Sequence, residues 1–447
     1  MSTSEYLKLA DEVASEIVDG RLKPGDRLPP QRTFAYQRGI AASTASRVYA
    51  ELLRRGLVVG EVGRGTFISG QSRRGDAATR DPGDPRVDLE FNFPILPGQA
   101  ELMAKSLAGL SNPDALQTAL KPATSRGNSA ARELGARVLA RGGWMPDPEG
   151  MAFTGGGRQS IAAAIATLVP AGARCGVEAL TYPLVKGIAM RLGVTLVPIA
   201  MDDHGIRPDA IEKAHHEARL SAVYIQPTLH NPLGVTVPPA RREELVRLAE
   251  RLALTMIEDA VYGFLVDEIP LAGLAPNHCV FVDSLSKRVA PGLTLGFISA
   301  PVSLRERLMA SIRSGGWTAS GFAFAAAQRL ITDGVANELV NRKREDARQR
   351  QSVAADCLAG QSVQSDSRSY HLWLTLPERW RSQAFVTTAA RHGIAITPSS
   401  AFAVSSGYAP NAVRLALAAP PMERLREALQ TLARMLNASE QDFDFAE

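Results

Sequence analysis

Cysteine is scarce in this 447-residue chain: Cys175, Cys279 and Cys357 are odd in number and far apart. That excludes a disulfide framework and points to a reducing compartment. No cysteines or histidines have the spacing of a metal site, and the adjacent His215 and His216 read as a helix-surface pair, so no metal is expected. Long apolar runs are missing too. The longest, Ile161 to Val169, falls far short of the roughly 20 residues that a membrane helix needs. Met1-Ser2-Thr3-Ser4-Glu5 has neither the basic flank nor the apolar core of a signal peptide. A cytoplasmic protein without a membrane partner is expected. No internal repeat is present.

What remains is the composition of a globular protein, 45% hydrophobic and 21% charged, long enough for two or more domains. The net charge of +4 is small but unevenly placed. From Gly20 to Gly75 there are eleven basic residues against three acidic ones. Such a local excess points to a polyanion partner.

Residues 1–70 read as a helical domain ending in two short strands. Leu7, Leu9-Ala10, Val13-Ala14 and Ile17-Val18 recur at helical spacing up to Gly20. A turn-rich connector leads to a short helix from about Pro30 to Gly39, and another helix spans Ser43 to Arg55. Leu57 to Val59 and Thr66 to Ile68 then flank a turn. Residues 71–88 carry Gly75, Pro82, Gly83 and Pro85 among charges and read as a linker. Over 89–447 the pattern becomes α/β. Strand candidates are Val177 to Ala179, Thr195 to Ile199, Ala222 to Gln226, Thr255 to Glu258, Val280 to Asp283 and Leu295 to Ser299. Helical stretches such as Arg241 to Leu252 separate several of them, as in a mostly parallel sheet covered by helices. After Val302, long helices and strands at Tyr370 to Leu376 and Ala412 to Leu417 predict a smaller α+β lobe.

Helix, basic helix-turn-helix and wing make residues 1–70 a winged helix-turn-helix, and double-stranded DNA the expected partner. The helix from Ser43 would enter the major groove, with Ser43, Thr44, Ser46 and Arg47 facing bases and phosphates. Arg32 can clamp a phosphate, and Arg64 and Gly65 at the wing tip can approach the minor groove. Leu28-Pro29-Pro30-Gln31-Arg32-Thr33-Phe34-Ala35, Gly39-Ile40-Ala41-Ala42-Ser43-Thr44 and Gly63-Arg64-Gly65-Thr66-Phe67-Ile68 resemble the GntR-type DNA-binding domain. Ala42 stands where that family commonly has a basic residue, so one contact is expected to be lost and the operator to differ.

Further on, Asn231 in His230-Asn231-Pro232-Leu233-Gly234, Asp259 with Tyr262 three residues on, and Ser284-Leu285-Ser286-Lys287 follow the layout of a pyridoxal 5'-phosphate site. Each answers a chemical need. The aldehyde needs an amine for a Schiff base, and Lys287 follows an apolar strand on what reads as a loop. A carboxylate at a strand end, Asp259, keeps a pyridine nitrogen protonated. Tyr262 and Asn231 suit the ring hydroxyl, and Tyr182 offers a stacking face. Thr154-Gly155-Gly156-Gly157-Arg158-Gln159 before a helix from Ser160 suits a phosphate, with Ser284 and Ser286 as further donors. Singly these signals are weak; in this order, at strand ends, they are strong.

The segment is similar to the fold type I aspartate aminotransferases over some 350 residues. The resemblance implies that Lys287 holds the cofactor, Asp259 pairs with its ring nitrogen, and Asn231 and Tyr262 bind its ring oxygen. It also implies that Arg414, in Asn411-Ala412-Val413-Arg414-Leu415, clamps the carboxylate of an effector. There are departures. Thr294 replaces the arginine expected between Gly292-Leu293 and Leu295-Gly296, Gly157-Arg158 replaces Ser-Gln, and the region from Ala119 to Gly127 lacks a tyrosine. They point to a domain that supports at most partial transamination. Arg158, at the start of the helix facing the phosphate, is the favoured replacement for the missing charge, ahead of Arg288.

DNA reader, linker and aminotransferase-like domain together resemble the MocR subfamily of transcriptional regulators. That implies a cytoplasmic homodimer whose operator binding responds to pyridoxal phosphate, or to a small amine or amino acid that condenses with it. The alternatives are a working aminotransferase with an accessory DNA module and a cofactor-free repressor.

Overall fold

The computed structural model describes residues 5–23, 25–54, 57–61, 65–68, 87–405 and 409–438. Arg64 and nearly all of the predicted linker lie outside these residues.

The first domain is built from α1 (Glu5–Val18), α2 (Gln31–Arg38), α3 (Ala42–Arg54) and the antiparallel pair β1 (Val58–Glu61) and β2 (Gly65–Ile68). Pro30 precedes α2, and Gly39 ends it in the left-handed region at φ 62°, where glycine has no Cβ to clash. Ala10, Val13, Phe34, Val48, Tyr49, Leu52 and Ile68 close the core. Arg38 reaches back to Glu12 and Glu16 on α1, the second contact at 2.9 Å. Arg381, from the second domain, donates to the Gly25 carbonyl at 3.3 Å and lies 4.3 Å from the Phe67 ring centre.

β3 (Val87–Asp88), at the end of the stretch predicted as linker, already pairs within the second domain. The large sheet contains β4 (Met151–Thr154), β5 (Arg174–Glu178) and β6 (Thr195–Ile199). β7 (Met201–Asp202) and β8 (Gly205–Ile206) form a separate hairpin. β9 (Ala222–Ile225), β10 (Thr255–Asp259), β11 (Cys279–Ser284) and β12 (Gly296–Ser299) complete seven strands in the order β4-β12-β11-β10-β9-β5-β6. β12 is antiparallel to both its neighbours, and the other pairs are parallel. Side chains alternate between two covered faces, which is why the strands read as unbroken apolar runs. Val223, Ile225, Met256 and Phe281 fill one face, and Tyr224, Ile257, Val280 and Val282 the other. Phe281, wholly buried, contributes roughly 1.5–3 kcal/mol by burial. Periodicity does not reveal β4, whose four residues are too few to show a period before the glycine run begins.

The smaller lobe has β13 (Val363–Ser365), β14 (His371–Thr375), β16 (Thr397–Pro398) and β17 (Ala412–Ala416) in the order β13-β14-β17-β16, while β15 (Ile394–Ala395) pairs with β3. Helix Met422–Asn437 buries Leu425, Leu429 and Leu432 against Leu372, Leu415 and Trp380. No helix of the described residues is long and apolar enough to cross a membrane.

Candidate functional site

Parallel strands with helices on both faces leave a crevice beyond their carboxyl ends. A cavity of about 440 Å³ lies there. Asp259 ends β10, Ser284 ends β11, and Thr154 ends β4 just before the glycine run. The helix after that run spans Gly157–Leu168, so it begins three residues earlier than the predicted Ser160. Thr154 secures the turn by bonding the Gly156 carbonyl at 3.0 Å and Ser160 Oγ at 2.8 Å. A Cβ on Gly157 would meet Ser284 Oγ at 3.1 Å, so a larger residue would crowd Ser284. Gly155, Gly156, Gly157 and Arg158 thus bring a helix N-terminus, with its free N–H groups and positive dipole end, to the cavity wall.

Lys287 sits on a four-residue helix, Leu285–Arg288, and not on the predicted loop. The Leu285 N–H bonds the Leu295 carbonyl and the Val289 N–H bonds the Leu285 carbonyl, which winds the chain into one turn. The amine donates to the Asn92 carbonyl and lies 3.8 Å from the Phe93 ring centre. The side chain is only half-buried because it faces the cavity, but the cavity lies deep enough to strip bulk water from the amine. Its pKa is held well below the usual lysine range, first by that burial, then by Arg414, Arg158 and Lys343, with Asp259 opposing. A neutral amine is the nucleophilic form.

Asp259 is buried. It accepts from Tyr224 Oη at 2.5 Å, Gln226 Nε2 at 2.9 Å and the Val261 N–H at 3.2 Å. Burial pushes its carboxyl up to about 6; the Tyr224 and Gln226 bonds pull it down, and Asp283 pushes it further up. The folded chain therefore holds this proton more tightly than the unfolded chain, in which the group titrates near 3.8. The resulting stabilisation is full below pH about 4, fades as pH rises through about 6, and amounts to about 3 kcal/mol. In ligand-free protein, Asp259→Asn should lose this slope. Thermal melts from acid to neutral pH check it, and parallel curves for the two proteins would contradict it.

Arg414 is buried, donates to the Glu90 carbonyl and to Thr397 Oγ1 at 3.0 Å, and lies 5.3 Å from the Phe402 ring centre. Burial lowers its pKa, while Tyr262 and Glu90 hold it up. Tyr262 Oη accepts from Asn92 Nδ2 at 3.2 Å, and burial pushes its phenol up to about 12. Burial pushes His371 down to about 3, so its ring is neutral and its Nε2 faces the His230 carbonyl at 2.9 Å as a donor. Arg158 lies against the Tyr182 phenol. Arg288 is turned away: it pairs with Asp283 at 2.7 Å and lies 5.5 Å from the Phe264 ring centre.

The cavity wall thus includes eleven residues singled out from the second domain's sequence, Tyr182, Gly156, Gly157, Arg158, Asn231, Asp259, Tyr262, Ser284, Ser286, Lys287 and Arg414, but not Arg288. Thr294 lines it as well. Sequence reasoning missed Glu90, Phe91, Asn92 and Phe93, a strap just beyond β3 that supplies partners to Lys287 and Arg414. No motif marks them. It also missed Gln226 and Tyr224, although both fall in the predicted strand that ends at Gln226.

Several buried wall atoms have no hydrogen-bond partner in the structure: Asn92 Oδ1, Asn231 Oδ1, Gln159 Oε1 and Arg414 Nε. Three acceptors and a donor on wall residues are thus left without a partner among the described residues, beside a cavity that also presents an amine, a carboxylate and a helix N-terminus. This donor and acceptor set fits a flat heteroaromatic aldehyde carrying a phosphate. No group of acidic, histidine or cysteine side chains among the described residues could hold a metal.

In the first domain Arg32, Ser43, Ser46 and Arg47 are exposed and Thr44 is half-buried. A Cβ on Gly65, at φ +121°, would meet Arg27 Nε at 2.8 Å, so glycine fits the close approach.

Residues 5–68 match the family model described as bacterial regulatory proteins, gntR family, and residues 112–432 match aminotransferase class I and II. The uncharacterized HTH-type transcriptional regulator YdeF of Bacillus subtilis is 28% identical over 437 residues, covering 97% of this chain and 94% of its own. The HTH-type pyridoxine biosynthesis transcriptional regulator PdxR of Corynebacterium glutamicum is 26% identical, covering 80% and 79%. Among solved structures, the kynurenine aminotransferase of Pyrococcus horikoshii, in complex with PMP, aligns with a TM-score of 0.71 at 22% identity, over 79% of this chain and 91% of its own.

Proposed function

The chain belongs to the aminotransferase class I and II family and joins that domain to a gntR-family DNA-binding domain, as MocR-type HTH regulators do, and from this we propose that it is a transcriptional regulator whose operator binding responds to pyridoxal phosphate or to an amine or amino acid that condenses with it. One observation carries the reading: a neutral-leaning amine, a buried carboxylate and a buried guanidinium face the same cavity. When bound, pyridoxal phosphate supplies an aldehyde reactive toward primary amines. Lys287 would hold it, Asp259 would keep a proton on its ring nitrogen, and Asn231 and Tyr262 would meet its ring oxygen. Tyr182 would cover one face of the ring, and Gly156, Gly157, Ser284, Ser286 and Arg158 would surround the phosphate. Arg414 would take an effector carboxylate, because a planar fork matches two oxygens.

A ligand changes DNA binding only by favouring one arrangement of the protein over another. The proposal includes a homodimer, supported by the exposed Leu120 and Phe322. A Cβ on Gly321 would meet the carbonyls of Ala119 and Lys121, so the backbone segments that carry these two side chains run close together. The reader would be the N-terminal face of α3, with Ser43, Thr44, Ser46 and Arg47, together with Arg32 on α2 and the wing at Gly65 and Arg64.

The test is DNA binding by the purified full chain, on sites it selects from a random pool, with and without pyridoxal phosphate and a panel of amines. An affinity indifferent to all of them sinks the proposal, and repeated transamination turnovers would favour an enzyme instead. Arg414→Ala should blunt the response to an effective amino acid at least tenfold while pyridoxal phosphate still binds, since a charge-assisted pair is worth about 1.5–3 kcal/mol. An unchanged dose response would free Arg414 from this role.

The phosphate gives a sharper test. Thr294 brings no charge to a dianion that needs one. Arg158 faces the cavity, whereas Arg288 is committed to Asp283. Arg158→Ala should therefore weaken pyridoxal phosphate binding about tenfold. Arg288→Ala should leave phosphate recognition intact, so its affinity for the phosphate-free aldehyde and for pyridoxal phosphate should change in parallel. A loss specific to pyridoxal phosphate in the Arg288 variant alone would reverse the assignment.

A further inference from the structure

The long helix Val335–Cys357 carries Arg342-Lys343-Arg344-Glu345, a run whose charge marks it as solvated in the sequence. Lys343 is instead fully buried. Its amine donates to the Lys287 carbonyl at 3.0 Å and to the Val289 carbonyl at 2.6 Å. Asp346, the acid that bears on its charge, is held by Arg350 at 2.8 Å and by Tyr370 Oη at 2.9 Å. A buried ammonium that lacks its own carboxylate is costly, and an unbranched apolar side chain would fill the space at lower cost.

The two carbonyls lie at the C-terminal end of the single turn Leu285–Arg288. So short a helix cannot hold its own end. Gln99 Nε2 also donates to the Val289 carbonyl, at 2.9 Å. Among the described residues, Lys343 is the side chain that donates to the carbonyl of Lys287 itself.

We propose that Lys343 is a positioning residue for Lys287: its amine clamps the backbone of the turn that aims the reactive side chain into the cavity, and its positive charge opposes a second positive charge there. The inference rests on the proposed covalent capture of an aldehyde by Lys287. In that capture the neutral Lys287 amine adds to the aldehyde carbon. A carbon–nitrogen double bond forms, and the carbonyl oxygen leaves as water with the two amine protons.

The charges around the two lysines agree with this. Lys343 follows burial, Arg414 and Arg158 among the influences that depress the Lys287 amine. Burial pushes Lys343 itself down to about 7, with Asp346 opposing. Its charge is thus present below neutral pH and lost above it, while its N–H groups suffice for two carbonyls in either form. The groups around it are Lys287 on the short helix, the neutral Gln99, Asp346 with Arg350 on its own helix, and Tyr370. Arg344 turns away to the Phe264 and Val266 carbonyls.

The full-length protein and its K343Q and K343M variants are mixed with pyridoxal phosphate across neutral pH, quenched with borohydride at intervals, and the mass increase at Lys287 is followed. K343Q keeps two N–H donors and drops the charge. Its rate on the alkaline plateau should stay within about twofold of the wild type, while the pH midpoint of capture moves up by roughly half a unit. K343M loses donors and charge, so its plateau rate should also fall about tenfold. A K343Q midpoint equal to that of the wild type overturns the proposal. Failure of both variants to fold makes Lys343 a structural residue and overturns it too; failure of K343M alone leaves K343Q to decide. Wild-type protein that gains no mass at Lys287 overturns the proposed function and this inference together.

Discussion

Lys287→Met protein should gain no borohydride-fixed mass from pyridoxal phosphate in the cavity, while its DNA-binding domain remains folded. The loss is total because it is chemical: no other amine among the wall residues can replace the one removed. The Lys343 amine is engaged by two carbonyls, and Lys343 is not among the wall residues. Non-covalent affinity should persist at a reduced level, since Asp259, the glycine turn and Arg158 are untouched. The fold should tolerate the change. The Asn92 carbonyl loses its donor, at a cost of about 1–3 kcal/mol. Against this, methionine removes an amine that the cavity already disfavours in its charged form. The first domain has its own core, from Ala10 to Ile68, so its circular dichroism and its non-specific DNA binding should be unchanged. Mass spectrometry of the reduced protein decides the matter. A residual adduct of wild-type yield on a cavity peptide would remove Lys287 from the centre of the site.

How far the sequence led depends on how local each signal was. The strands from Ala222, Thr255 and Val280 are legible because burial on both sheet faces leaves only apolar residues. Asn231, Asp259, Tyr262 and Lys287 are legible because each lies at or beyond the end of such a strand, where side chains converge on a crevice. The strap at Glu90 to Phe93 is not legible. It meets Lys287 across 195 positions of sequence, and two of its contacts use backbone carbonyls, which carry no side-chain signature. Lys343 carries no signal for a different reason: its charged neighbours in sequence give it the look of a solvated face, whereas packing against the Lys287 turn buries it. Lys287 lines the cavity, but its setting is a helical turn and not the predicted loop. A single helical turn of four residues is below the length at which periodicity can speak.

Operator affinity should fall by roughly a thousandfold between about 50 and about 200 mM salt, as expected when about six phosphates are neutralised. The eleven basic residues between Gly20 and Gly75 are not equally available for this. Arg38 is committed to Glu12 and Glu16, and Arg27 packs under Gly65 at the wing. Arg32 on α2 and Arg47 on α3 are exposed, and neither has an ion pair with a described residue. Those two are therefore free to displace counterions. Arg32→Ala and Arg47→Ala should each weaken binding about tenfold and each lower the slope of log affinity against log salt by about one. Arg38→Ala is the control: it removes the ion pairs that tie α2 to α1 and so lowers stability, but the slope should hold, because that charge is already neutralised within the protein. Fluorescence anisotropy over a salt series reads slope and affinity together. A flat salt dependence would remove the phosphate-dominated interface. An Arg47 variant with the wild-type slope and affinity would take the N-terminal face of α3 out of the groove.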